Sequence, residues 1–498
     1  MAFRFARKIL ETGVEMRFGM VRQAERLLSA FAVAVLMSFN ADAVDASAFG
    51  FSPEKSGKEN LAAIQKALDA GGLVTVDRPG RYLIADTMLI GSDTTLRCAP
   101  GVVFVKSDEG KKFSHIILNK GALTRTWDRN IAIDGFALSV NGMDLDTWMV
   151  YGLRGHFAFF YVKDLKITRF RCHDLAKYQF CIHVCTFEDL LIDDVIIDGR
   201  KDGIHLGRGK RFAIRNCRLR TGDDPIALNA HDYAESNPEM GWIEDGVIEN
   251  VHEIYDPSVK LGFFCRILAG AWIDWREGME VQQSDTVVSG GRMYRFRMSR
   301  RAKGKKFVSR HRPSHETGTR LYGDGCEWTM TQTDVQYSAG CRNIVFRDIF
   351  IEQPRTAFCI YYDNDIWSRS YYPGAEIPVQ KNITFDNVNV LHNAKKAVLA
   401  IETPVDSVTF QNCDFNKSCI WIATGGRSVG PTKISLLGCR FRAEGDYMLA
   451  GGGYEGKDVL LKTSCSQYWA EDFKARVDGP SRWIVDSDLP GLRKERRE

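Results

Sequence analysis

The sequence predicts an all-β fold: a single-stranded right-handed parallel β-helix with a short N-terminal capping helix. First, short runs of β-forming apolar residues recur through most of the 498 residues, each followed by Asn, Asp or Gly. Second, these runs repeat every 22–26 residues, as from Ile167 to Ile192 and Ile214, and from Val408 to Ile434. Third, no amphipathic helix of useful length separates them. Units of about 30 residues with a crossover helix, or propeller blades of about 40–45 residues, do not fit this period. One strand-and-turn circuit per repeat does.

A capping helix is predicted ahead of the first strands. Ala62, Ile64, Ala67 and Leu68 are predicted to lie on one face of a short helix, and Gly71-Gly72 ends the pattern. The alternating LVTV that follows is typical of a strand. We therefore expect the helix to cover the open N-terminal end of the solenoid.

The chain divides into three predicted parts. Residues 1–43 form an N-terminal extension with a signal peptide, 44–450 the β-helix with a long insertion at about 290–340, and 451–498 a C-terminal cap and tail. The composition, 44% apolar and 26% charged, is ordinary for a soluble globular protein.

The N-terminus has the pattern of a secretory signal. Arg22 and Arg26 precede the apolar run Leu27–Phe39, and the small-residue site Ala41-Asp42-Ala43 follows. The run is too short to span a bilayer, and no other segment approaches transmembrane length. This predicts a secreted or periplasmic protein, cleaved after Ala43, with no membrane span.

Charge and cysteine usage exclude other classes. A net charge of +4 gives no support for a nucleic-acid partner. The basic run Arg295–Arg320 has two readings, a solvated loop on the insertion or an edge that attracts an anionic polymer. The 13 cysteines include no CxxC pair. Cys217, Cys413 and Cys439 recur in similar contexts, which predicts core positions. We expect no metal and no cofactor.

Three aspartates stand about one repeat apart. Asp202 and Asp223 are separated by 21 residues, and Asp224 follows directly. In a β-helix this spacing predicts that Asp202 and Asp223 face each other on adjacent coils, about 4.8 Å apart. A ladder of solvated aspartates at turns would give the same pattern, so spacing alone leaves catalysis and structure both open.

The motifs around these aspartates resemble those of the polygalacturonase-type family 28 glycoside hydrolases, within the pectin-lyase-like superfamily. The segment RKDGIH at 200–205 is similar to the family's N-T-D-G-I-D, and GDDPIAL at 222–228 to its G-D-D-C-I-A-L, at the family's spacing. The opening AFGFSPEKSGKENLAAIQKALDAGG resembles the family's helical cap. The resemblance covers roughly Phe49–Asp446 and implies a β-helix that hydrolyses O-glycosyl bonds of a plant or algal, acidic polysaccharide.

The first motif departs from the family pattern. Arg200 and Lys201 replace its Asn and Thr, and His205 replaces its final Asp. The second region also departs, because HDYAESNPEMGW follows the aspartate pair in place of a G-H-G. The family's R-I-K is similar to FCRILAG, which keeps Arg266 and has Leu268 in place of the lysine. Those basic residues meet the substrate carboxylate in galacturonan-cleaving members, so the resemblance does not fix the sugar.

The resemblance implies roles for the three aspartates. Asp223 falls on the family's general acid, and Asp202 and Asp224 on the residues that activate water, with inversion of the anomeric centre. The chemistry suits such a cluster, because like charges a few Å apart raise the pKa of at least one carboxyl and keep a proton available.

The candidate substrate-binding residues flank this stripe or suit a sugar ring. His231 either orients Asp223, binds a sugar hydroxyl or satisfies a local hydrogen bond. Arg266 either binds substrate or lies along apolar surface. The aromatic loop at 361–362 either stacks on a sugar or closes a coil. The candidates are Lys201, His205, His231, Arg266, Tyr361 and Tyr362.

Two other functions fit the same scaffold. A polysaccharide lyase would abstract a proton next to a uronate carboxylate, usually with Ca²⁺ held by acidic residues, and could recruit Lys260 or Arg266 as a base. A carbohydrate-binding or adhesive β-helix would bind its polysaccharide without turnover. The motif similarity favours the hydrolase.

Overall fold

The structure is a computed structural model that describes residues 43–145, 147–297, 305–363, 368–392 and 397–401, with shorter pieces beyond. The shorter pieces are 403, 405–416, 419–423, 432–442, 449–452, 458–464, 467–468, 475–477 and 482–487. The predicted signal segment, up to residue 42, lies outside the described residues. No helix in the described ranges is long and apolar enough to cross a membrane.

The capping helix is present as α1, Gly57–Ala70, after a 3-10 turn at Ala46–Phe49. Ser56 starts it with a capping box: its hydroxyl accepts from the backbone N–H of Glu59, and the Glu59 carboxylate accepts from the backbone N–H of Ser56 at 3.1 Å. Gly71, at φ 72°, ends the helix in a conformation that favours glycine. The helix prediction is confirmed, and Ile64, Ala67 and Leu68 of its predicted apolar face are buried. Ala62, predicted to lie on the same face, is exposed, and Ala63 is buried in its place.

The strands before the insertion are parallel to their neighbours one circuit away. A second 3-10 turn spans Lys120–Leu123. The strands are Val44–Asp45 (β1), Gly72–Val76 (β2), Gly80–Ile84 (β3), Met88–Ile90 (β4), Thr94–Cys98 (β5), Val102–Lys106 (β6), Ile117–Asn119 (β7), Asp128–Asp134 (β8), Ala137–Ser139 (β9), Gly155–Thr168 (β10), Arg171–Leu175 (β11), Phe180–Gly199 (β12), Ile204–Leu206 (β13), Gly209–Thr221 (β14), Ile226–Asn229 (β15), Ile243–Glu253 (β16) and Phe263–Ala271 (β17).

The insertion forms its own small sheet, ordered β18-β20-β21-β24-β23 and mostly antiparallel, beside a separate β19–β22 pair. Tyr294, Phe296 and Trp328 lie in its separate apolar core. The basic run is therefore partly interior: Arg295 is buried, while 298–304 lie outside the described residues. Its strands are Ile273–Asp274 (β18), Met279–Val281 (β19), Thr286–Ser289 (β20), Arg292–Arg297 (β21), Phe307–Ser309 (β22), Thr319–Leu321 (β23) and Glu327–Gln332 (β24).

After the insertion a short strand, Ser338–Ala339, pairs antiparallel with Phe263–Ala271, and the parallel stack resumes with Cys341–Ile351. It continues past residue 450, where the sequence analysis placed the start of the cap, since β36 pairs with β39. The strands are Ser338–Ala339 (β25), Cys341–Ile351 (β26), Thr356–Tyr362 (β27), Lys381–Val390 (β28), Ala397–Ile401 (β29), Ser407–Gln411 (β30), Asp414–Asn416 (β31), Cys419–Ala423 (β32), Thr432–Leu437 (β33), Arg440–Arg442 (β34), Leu449–Gly452 (β35), Asp458–Ser464 (β36), Gln467–Tyr468 (β37), Ala475–Val477 (β38) and Arg482–Asp486 (β39).

Residues that are one repeat apart in the sequence are paired on neighbouring strands in the structure. Ile167 pairs with Ile192, which pairs with Ile214, and Val408 pairs with Ile434. These side chains form buried rows inside the solenoid. Burying one such side chain stabilises a fold by about 1.5–3 kcal/mol, so repeated rows supply a large driving force. The prediction of a right-handed parallel β-helix is confirmed.

Asparagines mark the bends between strand segments. Asn216 and Asn250 have φ of 54° and 49°, a left-handed conformation that Asn tolerates better than most residues. The Asn250 amide donates to the Asn216 amide oxygen one coil away at 2.7 Å. This explains why an Asn or Asp follows so many of the apolar runs. The predicted core cysteines, Cys217, Cys413 and Cys439, are buried.

Candidate functional site

The three aspartates lie on two successive turns of the solenoid. Asp202 lies between β12 and β13, and the pair Asp223-Asp224 between β14 and β15. Ile204 pairs with Ile226, and the Gly203 N–H donates to the Asp224 carbonyl at 3.0 Å.

This register offset of 22 residues places Asp224 opposite Asp202, and Asp223 opposite Lys201. The expected 21-residue pairing of Asp202 with Asp223 is therefore wrong by one residue. The long strands set the offset, since β12 and β14 pair over eleven positions at that same offset.

The structure nevertheless brings all three carboxylates together. One oxygen from each of Asp202, Asp223 and Asp224 lies within 4.8 Å of the others. Their accessibility differs: the side chains of Asp202 and Asp224 are 1% and 2% exposed, and that of Asp223 is 44% exposed. Only Asp223 is in a position to touch a large substrate directly.

Lys201 serves as a counter-ion inside the cluster. Its Nζ lies 2.6 Å from Asp202 Oδ1 and also contacts Asp223 Oδ2, and its side chain is only 12% exposed. The acidic oxygens are spaced to hold a metal ion. Such an ion would have to share two of its ligands with the Lys201 ammonium, which already supplies a positive charge there.

His205 connects the cluster to a fourth aspartate. Its Nδ1 lies 3.1 Å from Asp202 Oδ2, and its Nε2 lies 3.6 Å from Asp232 Oδ2. The imidazole stacks on Phe180 with ring centres 4.1 Å apart and planes 7° apart. His205 and Asp232 are fully buried, so His205 is enclosed and does not line an open surface.

Arg266 pairs with the other buried carboxylate. It lies on β17, one coil beyond Ala227, and its Nε is 3.0 Å from Asp224 Oδ2. The Nε–H does not point at that oxygen, so the contact is an ion pair without an aligned hydrogen bond. The backbone N–H of Phe263 donates to Asp224 Oδ1 at 3.2 Å, and Arg266 Nη2 lies 3.6 Å from Asp232.

The two buried aspartates titrate in opposite directions. Burial alone would raise the pKa of Asp202, but Lys201, His205 and Arg266 outweigh it and hold that pKa below its ordinary value. For Asp224, burial and the neighbouring Asp223 and Asp202 outweigh Arg266 and Lys201 and raise the pKa to about 8. The unequal set of neighbouring charges therefore moves the pKa values of these two facing carboxyls apart.

The remaining candidates lie further out. His231 is buried against Trp272, with ring centres 5.8 Å apart, and its Nε2 lies 3.2 Å from the Thr286 hydroxyl. Those contacts join it to the insertion and not to the aspartates. Tyr361 is half-buried beside Phe263, with ring centres 6.2 Å apart, while Tyr362 is buried against Tyr371. Of the two tyrosines, only Tyr361 stands near the cluster.

Two functional neighbours escaped the sequence reasoning. Asp232 directly follows His231, and the sequence analysis selected His231 as the candidate. The position of Asp232, a carboxylate just after an apolar strand, could have indicated it. Phe180 stands 22 residues before Asp202. The coil period could have placed that ring beside the site.

A groove of about 610 Å³ runs along the neighbouring turns. Its lining includes Arg200, next to Lys201, and Lys177 and Tyr178 one coil away, but not the three aspartates. Asp198 in its wall is paired with His173 at 2.6 Å and with Arg220 at 3.0 Å. Arg200 is exposed and forms no ion pair with any described residue. The lining also includes Asp144, Asp174 and Asp256, so Arg200 is an exposed positive charge in a groove of mixed charge.

No family model matches the chain, and no curated protein is found as a relative. Among solved structures, it is similar to the family 28 exopolygalacturonase of Yersinia enterocolitica, at 11% identity and TM-score 0.47, over 92% of this chain and 80% of that one. The exopolygalacturonase of Thermotoga maritima gives 13% identity and TM-score 0.45, over 90% and 93%. PfbA, a surface adhesin of Streptococcus pneumoniae, gives 12% identity and TM-score 0.41, over 89% and 92%.

Proposed function

We propose that this protein is a glycoside hydrolase that cleaves a polysaccharide with Asp202, Asp223 and Asp224. One observation carries the proposal: the three carboxylate oxygens lie within 4.8 Å of one another while only Asp223 reaches solvent. Glycoside hydrolysis needs one carboxyl that protonates the leaving oxygen and another that activates water or attacks carbon. The cluster offers both kinds.

Asp223 is the proposed general acid, since its exposed carboxyl can contact a glycosidic oxygen. Asp202 and Asp224 are proposed to hold the attacking water. Two hydrogen bonds of about 2.8 Å span oxygens up to roughly 5.6 Å apart, and the oxygens of these aspartates lie within that span of each other. In the step, the water oxygen bonds to the anomeric carbon and the bond from that carbon to the leaving oxygen breaks. Asp223 gives its proton to the leaving oxygen, and the carboxylate of Asp202, whose pKa is held low, takes a proton from the water.

We propose inversion of the anomeric centre. The carboxyls of inverting enzymes are generally about 6.5–9.5 Å apart and those of retaining enzymes about 5–5.5 Å. The oxygens here lie closer than the first range, so the stereochemistry needs direct measurement. Proton NMR of the first product anomer distinguishes the two. A retained anomer would make one of the aspartates a nucleophile and overturn inversion.

The proposed substrate carries negative charge and lies along the groove. Exposed Arg200 and Lys177 can meet a carboxylate or sulfate on the sugar next to the cleaved bond. Together with the predicted signal segment, this suits an extracellular or periplasmic enzyme that degrades an acidic plant or algal polysaccharide.

The testing experiment is reducing-end release from a panel of acidic and neutral polysaccharides. Wild-type protein should release reducing ends from at least one acidic member, and Asp223→Asn should release far fewer. Asp189→Asn is a matched control, because Asp189 pairs with Arg211 at 2.7 Å on the solenoid surface away from the groove. Equal activity of Asp223→Asn and wild type would overturn the proposed role of Asp223.

A second candidate is a carbohydrate-binding solenoid without turnover. The burial of Asp202 and Asp224 beside Lys201 and Arg266 favours it, since such a network would also stabilise a turn. This candidate predicts polysaccharide binding by wild type and Asp223→Asn alike, with no reducing ends released by either.

A further inference from the structure

We propose that Asp232 is a positioning residue, which holds His205 and Arg266 against the carboxylates of Asp202 and Asp224. The inference rests on the proposed hydrolase function. It adds a residue that lies outside the two aspartate motifs and belongs to the segment after β15.

Asp232 is fully buried and has a complete set of partners. Its Oδ2 lies 3.6 Å from both His205 Nε2 and Arg266 Nη2. The same oxygen accepts a hydrogen bond from Asn229 Nδ2 at 2.7 Å, and Oδ1 accepts from the backbone N–H of Tyr233 at 2.7 Å. These two shorter bonds fix the carboxylate, and its Oδ2 then faces both the imidazole of His205 and the guanidinium of Arg266.

Each of these two side chains, His205 and Arg266, also contacts a different aspartate of the cluster. His205 Nδ1 lies 3.1 Å from Asp202 Oδ2, and Arg266 Nε lies 3.0 Å from Asp224 Oδ2. A single carboxylate therefore touches both groups that contact the two buried aspartates. No coil-to-coil hydrogen bond could make this link, because it crosses from β13 to β17 over the coil that lies between them.

The orientation of His205 shows what Asp232 contributes. Stacking on Phe180 at 4.1 Å fixes the plane of the imidazole but not which ring edge faces Asp202. A 180° flip keeps the stacking and moves Nδ1 away from Asp202. An anion on the Nε2 side makes one orientation preferable, because only that orientation places a ring nitrogen against each carboxylate.

The kinetic test compares Asp232→Asn with wild type on the substrate found by the panel. We expect kcat to fall about 10–100-fold, as for other partners that orient site residues, with KM changed less than about threefold. Asp232→Glu keeps the charge and should recover part of the lost kcat. Wild-type kcat in Asp232→Asn, or an effect on KM alone, would overturn the proposal.

Asp285→Asn is the matched control. Asp285 is also a buried aspartate paired with an arginine, Arg369, with 2.7 Å between Arg369 Nε and Asp285 Oδ1, but it lies in the insertion. We expect its kcat and KM to equal those of wild type. If it loses as much kcat as Asp232→Asn, loss of any buried aspartate explains the effect and positioning is refuted.

Two further measurements test the proposal if Asp232→Asn does not fold or if activity cannot be measured. If Asp232→Asn does not fold, Asn229→Ala removes the bond that fixes Asp232 and should lower kcat less, again at unchanged KM; unchanged kcat would count against the proposal. A crystal structure of the folded variant tests positioning without activity. Displacement of His205 or Arg266 from the aspartates supports it, and unmoved side chains refute it. A wild type without turnover would refute only the proposed function.

Discussion

Asp202 and Asp224 lie opposite each other on adjacent coils, yet their surroundings shift the pKa values of the two carboxyls in opposite directions. Lys201 and His205 both contact Asp202 and keep its pKa low, although burial opposes them. Asp224 is as deeply buried and has one cation, Arg266, against two neighbouring carboxylates, so its pKa rises to about 8. Unequal sharing of counter-ions therefore gives two facing carboxyls of the same residue type opposite pKa shifts.

The raised pKa of Asp224 predicts how stability depends on pH. Between about pH 5 and 8 the folded protein holds a proton that the unfolded chain, with an Asp pKa of 3.8, has released. Asp224 thus makes wild type lose stability as pH rises, by at most about 1.4 kcal/mol per pH unit. Asp224→Asn lacks this proton and should gain stability over wild type as pH rises.

Urea unfolding at pH 5 and pH 8 measures this effect. The free energy of unfolding of Asp224→Asn, relative to that of wild type, should be higher at pH 8 than at pH 5. Asp189→Asn should show no such trend. A difference that is the same at both pH values would mean that the Asp224 carboxyl is ionised throughout.

The general-acid role of Asp223 predicts a dependence on the leaving group. Asp223→Asn should lower turnover of natural glycosides by about 10²–10⁴-fold. The loss should be much smaller on a dinitrophenyl glycoside, whose leaving group needs no proton. Asp202→Asn should impair both substrates alike, because water activation is needed whatever leaves. Equal losses for Asp223→Asn on the two substrates would contradict proton donation by Asp223.

The position of Lys201 predicts the response to divalent cations. Wild-type hydrolysis should survive EDTA, since the Lys201 ammonium neutralises the aspartates. Lys201→Met removes that charge and leaves three oxygens within 4.8 Å, a spacing that suits Ca²⁺. Its Tm should therefore rise by several degrees with CaCl₂, while that of Lys201→Arg should not. Activity abolished by EDTA, with unsaturated uronide products, would instead select a lyase.

The free charge of Arg200 predicts selectivity for anionic substrates. Arg200→Ala should raise KM about 5–10-fold on an acidic polysaccharide at low salt, and the effect should shrink as salt screens the groove. A neutral polysaccharide, if cleaved, should show little change. An equal rise in KM on the acidic and the neutral polysaccharide would show that Arg200 contributes to the shape of the groove and not to the recognition of negative charge.

Much of the fold could be predicted from the sequence because the solenoid repeats a local pattern. Ile167, Ile192 and Ile214 are separated by one circuit each, and the same residues pair in the structure. Asn216 follows its apolar run because the chain bends there through a left-handed conformation. Such features depend on neighbours along the chain and one coil away.

The candidate site could be predicted only in part. The approach of Asp202, Asp223 and Asp224 follows from the period, but the choice of Asp224 as the partner of Asp202 needed a register accurate to one residue. Lys201, predicted to bind substrate, instead points at two aspartates of its own chain. Neither property is visible in a motif.

The sequence by itself determined the coil, its interior rows and the turns on which the aspartates meet, because apolar periodicity and turn residues act over one circuit. Only the tertiary structure decided which cationic side chains neutralise the aspartates. Asp232 belongs to the segment after β15. Arg266 lies on β17, two coils beyond His205 on β13. Burial and counter-ion distance set the protonation of each carboxyl, and both depend on segments that are far apart in the sequence.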